Sequence, residues 1–192
     1  SDYINISFHE MKKEYSLKEL ELKANEIRQD IIKMLVKAGS GHSAGPLGMA
    51  DVFTALYFSI LNHDPKNPFW EERDRLILSN GHICPVRYAA MAESGYFPLQ
   101  ELDTLRKFGS RLSKASGRAY VGKYIDKTTW RVYCAMSDGE QEAGQTWEAA
   151  MFAGKNKLNN LTAIIDRNNI QIDGFIENIM PLEPLKAKYE AF

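Results

Sequence analysis

The chain has 192 residues, 44% of them hydrophobic and 26% charged. That is the composition of an ordinary globular protein, long enough to bury a core without covalent staples. Its 24 basic and 25 acidic residues leave a net charge of -1, which argues against a nucleic-acid partner. Two cysteines, Cys84 and Cys134, are too few for a disulfide framework and point to a reducing, cytoplasmic setting. No apolar run approaches the roughly 20 residues that cross a bilayer, so no membrane role is expected. The opening Ser1-Asp2-Tyr3-Ile4-Asn5 shows no signal-peptide pattern.

Apolar residues at Leu20, Ala24, Ile27, Ile31, Leu35 and Ala38 recur every three or four positions and predict a helix from about Leu17 to Ala38, stopped by Gly39. A polar turn, Ser40 to Pro46, follows, and Leu47 to Leu61 is apolar enough for a mostly buried helix. Asn62 to Pro68 reads as loop. Three short apolar runs, Arg75–Ser79, Arg131–Met136 and Leu161–Ile165, are continuous rather than alternating, which suits parallel strands buried on both faces. Helical stretches separate them, at about Pro85 to Ser94, Leu99 to Lys107, Ser113 to Tyr124 and Gly144 to Lys157. Strand and helix in alternation predict an α/β fold with a mostly parallel sheet flanked by helices, in one domain. Phe108 to Leu112 joins two of the predicted helices with almost no loop, and the chain ends in a charged, helix-like stretch, Leu185 to Glu190.

In an open α/β sheet, ligands bind beyond the carboxyl ends of the strands. Polar residues stand at all three ends: Asn80-Gly81-His82, Ser137-Asp138-Gly139-Glu140 and Asp166-Arg167-Asn168-Asn169. A βαβ unit brings the last two ends side by side. A carboxylate from Asp138 and a carboxamide oxygen from Asn168 are hard donors, suited to Mg²⁺ or Ca²⁺. They are too few for a free-standing metal cage, and about right for an ion shared with a diphosphate. Gly139 removes a side chain where a phosphate would approach the backbone. Each piece has a plainer alternative, since Asp-Gly and Asn-Asn after a strand also make ordinary turns. His42 and His82 lie in glycine-containing turns, where a structural histidine competes with a functional one. His9 and His63 are expected at the surface, as is the solvated face of Lys12, Lys13 and Glu14. The cysteines read as small buried hydrophobes. Trp147, Ala150, Met151 and Gly154 read as the core stripe of a helix.

Together these motifs resemble the transketolase family, at its N-terminal, thiamine-diphosphate-binding domain. The stretches that carry the likeness are Ser40 to Asp51, Ser79 to His82, Ser137 to Glu140 with Trp147-Glu148-Ala149, and Asp166 to Gly174. The resemblance covers the chain from about residue 18 onward. It implies that Asp138, the Asn168 side-chain oxygen and the Ile170 carbonyl ligate Mg²⁺, for which Ca²⁺ can substitute. It implies diphosphate contacts at His82, Gly139 and Asn168, and catalytic roles for His42, His82 and Glu148, the last through a network near the dimer interface linked to cofactor activation. The implied reaction moves a two-carbon ketol unit from a ketose phosphate to an aldose phosphate.

The chain also departs from the family pattern. Ser137 replaces a leading glycine, and Ala143 stands where the family has a glutamate, with Glu142 one place earlier. A glycine-rich loop and a histidine that the family carries between the positions of Arg111 and Leu112 are absent. The expectation is a stretch missing from the sequence rather than a true loss. No pyrimidine-binding domain is present, which implies a partner polypeptide carrying the pyrimidine-binding and C-terminal domains, a heterotetramer or higher oligomer, and no activity for this chain alone. The rival readings are deoxyxylulose-phosphate synthase or the pyruvate dehydrogenase α chain, and a non-catalytic binding paralogue. A nucleotide-binding α/β protein comes third, because no Gly-x-Gly-x-x-Gly or P-loop pattern follows a strand.

Overall fold

The computed structural model describes residues 14–107, 110, 112, 130–171 and 174–192. The expected helix over Ser113 to Tyr124, the Arg111–Leu112 junction, His9, Lys12 and Lys13 lie outside these residues.

Helix α1 spans Leu17–Ala38, the range read from its apolar spacing. Ser16 starts it with a reciprocal capping box: its side chain accepts from the Glu19 N–H while the Glu19 carboxylate accepts from the Ser16 N–H. Gly39, at φ +64°, ends it in the left-handed region. The expected polar turn is shorter than predicted, because α2 (Ala44–Gly48) already begins at Ala44. Proline is tolerated at Pro46 because the N–H it lacks would have no intrahelical partner in a first turn. Helix α3 (Ala50–Ala55) and a π-helical turn (Leu56–Ile60) complete the buried helical run.

Strand β1 (Arg75–Leu78) leads through a 3-10 turn (Gly81–Ile83) into α4 (Cys84–Glu93). The expected helical stretch from Leu99 is a 3-10 helix, Leu99–Thr104, ending short of Lys107. Strand β2 (Val132–Ser137), a 3-10 turn (Gly139–Glu142), α5 (Gly144–Lys155) and β3 (Leu161–Asp166) form the predicted βαβ unit. The three strands pair in parallel in the order β1-β2-β3. A two-residue hairpin, β4 (Ile170–Gln171) with β5 (Gly174–Phe175), follows, then short helices α6 (Ile176–Ile179) and α7 (Leu185–Glu190).

The core lies where α1, α3 and α4 pack together against one side of the sheet. Ile27, Ile31, Met34, Phe53, Leu56, Ile83 and Val86 are essentially solvent-free there, with Leu78 and Ala135 of the strands. The other side is thinly covered, which corrects two expectations. Strand β3 is not buried on both faces, since Thr162 and Ala163 are exposed. Helix α5 buries no residue fully, and Met151 of its supposed core stripe is 48% exposed. Between α5 and the sheet lies an apolar cavity of about 580 Å³ bounded by Cys134, Met136, Ala150 and Phe192 among others.

His63 is not a surface residue. It is half-buried, its ring stacked on Tyr96. Its Nε2 sits 2.7 Å from the Tyr57 carbonyl and its Nδ1 2.9 Å from the Tyr96 hydroxyl. A carbonyl can only accept, so Nε2 carries a proton and donates it to the Tyr57 carbonyl.

Candidate active site

The β2–β3 ladder runs to its last pair, Ser137 opposite Asp166. One residue further, the Asp138 N–H donates to the Asp166 carbonyl at 3.1 Å. That register sets Asp138 beside the loop carrying Arg167, Asn168 and Asn169. The Asp138 carboxylate is buried and accepts from Gly139 N–H at 2.9 Å on one oxygen and from Asn169 N–H at 2.8 Å on the other. Asn169 reaches it because its backbone turns through φ +68°, a conformation asparagine tolerates. The Asn168 side chain closes the turn, its Oδ1 accepting from Ile170 N–H at 3.0 Å. Its amide lies 3.4 Å from Asp166 Oδ2. Burial pushes the Asp166 carboxyl above its ordinary value. The Asp138 charge adds to that shift, while the Asn168 amide and His82 oppose it.

The other wall comes from the first half of the chain. Gly45, in the first turn of α2, sits so close to the β1–α4 turn that a Cβ there would lie 2.6 Å from Ile83 Cγ2 and 3.7 Å from His82 Nε2. This close approach brings the His42 and His82 rings to 5.3 Å between centroids. His42, His82, Asp138, Gly139, Asn168 and Ile170 all line one cavity of about 940 Å³, with Gly41, Ser43, Gly45, Asp166 and Gln171. Of the expected site residues only Glu148 stands apart: it is exposed on α5 and does not line this cavity.

The donor set fits a cation shared with a diphosphate. Among the described residues no group of three His, Cys, Asp or Glu side chains could hold a metal. Ligation by Asp138 and Asn168 would leave coordination positions for oxygen ligands from another molecule, as is common for Mg²⁺. A Cβ at Gly139 would meet protein only at 3.6 Å, from Gln171, so packing alone does not require glycine at this point of the wall. The Gly139 N–H is engaged by Asp138, and a phosphate would share it. Gln171 Oε1 is buried on the same cavity without a hydrogen-bond partner.

Two residues that sequence reasoning leaves without a role organise this end of the sheet. Glu140 accepts at one carboxylate oxygen from the Ser79 hydroxyl, and at the other from the Ser137 N–H at 2.7 Å and the Ser137 hydroxyl at 3.3 Å. It thus ties the end of β1 to the end of β2. Gln141, 1% exposed, donates to the Ser137 carbonyl at 3.0 Å and accepts from Tyr189 at 2.6 Å. The only signal for either in the sequence is a position beside Asp138-Gly139. Cys134 stays out of the chemistry: burial, then the Glu140 charge, pushes its thiol up.

Comparison with known proteins agrees with this geometry. The family model described as transketolase, thiamine diphosphate binding domain, matches residues 20–130 and 114–192. The chain is 43% identical over 198 residues to 6-deoxy-6-sulfo-D-fructose transketolase subunit SqwG from Clostridium sp. (strain MSTE9), covering 91% of this chain and 71% of that protein. It is 36% identical over 195 residues to one subunit of the apulose-4-phosphate transketolase of Phocaeicola vulgatus, covering 90% and 69%. The crystal structure of transketolase from Campylobacter jejuni superimposes with a TM-score of 0.80 at 31% identity, over 92% of this chain and 32% of that one. The chain thus spans most of two transketolase subunits and about a third of an undivided transketolase. It belongs to the transketolase family, as a thiamine diphosphate binding domain.

Proposed function

We propose that this chain is the diphosphate- and metal-binding part of a divided transketolase that moves a two-carbon ketol unit between sugar phosphates. The observation that carries the reading is the single cavity onto which two histidines from one side and the Asp138–Asn168 strand ends from the other converge. Asp138, the Asn168 side-chain oxygen and the Ile170 carbonyl would hold Mg²⁺, or Ca²⁺ in its place. Gly139, Asn168 and His82 would meet the diphosphate. Thiamine diphosphate, when bound, supplies the carbon nucleophile and electron sink for breaking a carbon–carbon bond next to a carbonyl. His42 and His82, side by side on the cavity wall, hold and move protons at the hydroxyl oxygens of the sugar. The Asp138–Asn169 and Asn168–Ile170 hydrogen bonds hold both side chains against the loop after β3.

Activity is assigned to a complex with a second polypeptide bearing the pyrimidine-binding and C-terminal domains, as a heterotetramer or higher oligomer. The two relatives named as transketolase subunits support that arrangement. The substrates in their names, a sulfo-sugar and a sugar phosphate, favour an anionic sugar here as well. The free thiols of Cys84 and Cys134 agree with a reducing, cytoplasmic compartment.

The test is a coupled ketol-transfer assay on the purified chain, alone and with a candidate partner chain, in Mg²⁺ and thiamine diphosphate. Transfer only in the mixture, lost in Asp138→Ala, is expected. Robust transfer by the chain alone contradicts the division of labour. Cofactor binding without transfer to any sugar in the mixture identifies a non-catalytic paralogue.

A further inference from the structure

Arg167 is the one cation that touches the proposed metal-site carboxylate among the described residues. Its Nη1 lies 3.4 Å from Asp138 Oδ2, its Nη2 2.5 Å from Glu177 Oε1 and its Nε 3.4 Å from Glu183 Oε1. The two glutamates are largely solvated, with side chains 45% and 61% exposed, whereas Asp138 is 2% exposed. The guanidinium is therefore aimed from the outside by two solvated anions and turns its remaining edge toward a buried one. Glu183 is itself held, its Oε2 accepting from the Leu185 N–H at 2.9 Å at the start of α7. A buried carboxylate with no compensating charge is costly. Here the compensation is built into the chain. A divalent ion that takes Asp138 as ligand must then bind beside a standing positive charge and share an oxygen with it.

We propose that Arg167 is a resident counter-charge for Asp138. It holds the buried carboxylate in place before a cation binds, and it keeps the divalent-cation affinity of the site low. The inference rests on Asp138 being a cation ligand, as proposed above. Arg167 acts through Asp138 and is a positioning residue, not a catalytic one. One standing positive charge beside the ligating carboxylate lowers a divalent ion's affinity by a factor on the order of ten.

The experiment titrates the full chain with Mn²⁺ in saturating thiamine diphosphate, reading free Mn²⁺ by electron paramagnetic resonance, and records melting temperatures with and without the ion. Arg167→Met removes the charge and keeps the bulk. It is expected to bind Mn²⁺ about tenfold more tightly than wild type, to melt lower without the ion, and to gain more from it. Arg167→Lys keeps the charge and is expected to bind Mn²⁺ like wild type. If Arg167→Met does not fold, Arg167→Gln reads the same charge effect while retaining a donor for Asp138. A folded neutral variant with unchanged or weaker Mn²⁺ affinity overturns the inference. Asp138→Asn separates the two levels. If it binds Mn²⁺ as well as wild type, the metal assignment falls and this inference with it. If it loses Mn²⁺ while the Arg167 variants show no change, only the inference falls.

Discussion

The Tyr189 hydroxyl donates to Oε1 of Gln141 across 2.6 Å, fastening the last helix to the turn that follows Asp138. Burial, then Cys134 and Glu140, raises the tyrosine pKa, so the hydroxyl keeps the proton it donates. The acceptor belongs to a side chain only 1% exposed. Tyr189→Phe would leave that oxygen unpaired in the interior, and the cost of an orphaned neutral group is about 1–3 kcal/mol. The variant is expected to unfold at lower urea by that amount. Gln141 also donates to the Ser137 carbonyl, so its displacement reaches the Asp138 turn, and thiamine diphosphate affinity should fall with stability.

Glu140 gives the next expectation. One carboxylate joins the Ser79 hydroxyl to the Ser137 N–H and hydroxyl, and so sets the spacing between the turns that carry His82 and Asp138. Glu140→Ala removes all three bonds and leaves a backbone N–H at a strand end without its acceptor. A loss of about 1–3 kcal/mol is expected in chemical denaturation. Glu140→Gln keeps an acceptor oxygen and should recover part of it. Diphosphate affinity measured by calorimetry should follow the same order, wild type above Gln above Ala. Equal affinity in all three would show that the clamp does not position the site.

Close approach at Gly45 is testable by one methyl group. The added carbon of Gly45→Ala would sit 2.6 Å from Ile83 Cγ2, and Ile83 is fully buried, so it has little room to yield. Overpacking of this kind costs about 1–3 kcal/mol. The displaced turn is the one that bears His82, so the loss of the proposed ketol-transfer activity should exceed that in Gly48→Ala, where nothing lies within 4 Å of the new carbon.

Legibility in the sequence follows the reach of each interaction. Helix α1 is readable to the residue because its signals are local: apolar spacing every three or four positions, and a glycine for the left-handed stop. The strand ends are readable because parallel topology puts Asp138 and Asn168 on one cavity despite their separation along the chain. His63 is misread because its partners are a carbonyl six residues back and a hydroxyl 33 residues on, which no local pattern announces. The α5 stripe is misread because periodicity reports which face is apolar, not whether anything covers it. The β4–β5 hairpin has two residues per strand, too few for any alternation to show. Gln171 and Arg167 sit inside a recognised motif, yet their roles depend on cavity position and on carboxylates from later segments.

A final expectation concerns acid behaviour away from the site. Asp30 on α1 is half-buried beside the Glu93 carboxylate. Burial, then the neighbouring Glu93 carboxylate, pushes its carboxyl above the ordinary 3.8, with Lys33 opposing at 3.5 Å. In the unfolded chain the group returns to its ordinary value, so the folded state binds the proton more tightly. Ionisation therefore works against folding at every pH above the folded value, and that penalty is relieved as pH falls through it. Asp30→Asn resembles the protonated form at all pH. It is expected to be more stable than wild type near neutrality, with the difference shrinking toward about pH 4 as the wild-type carboxyl takes up its proton. Urea midpoints for both proteins across this range check the sign. An asparagine variant less stable than wild type at neutral pH would mean that the ion pair with Lys33 outweighs burial at this position.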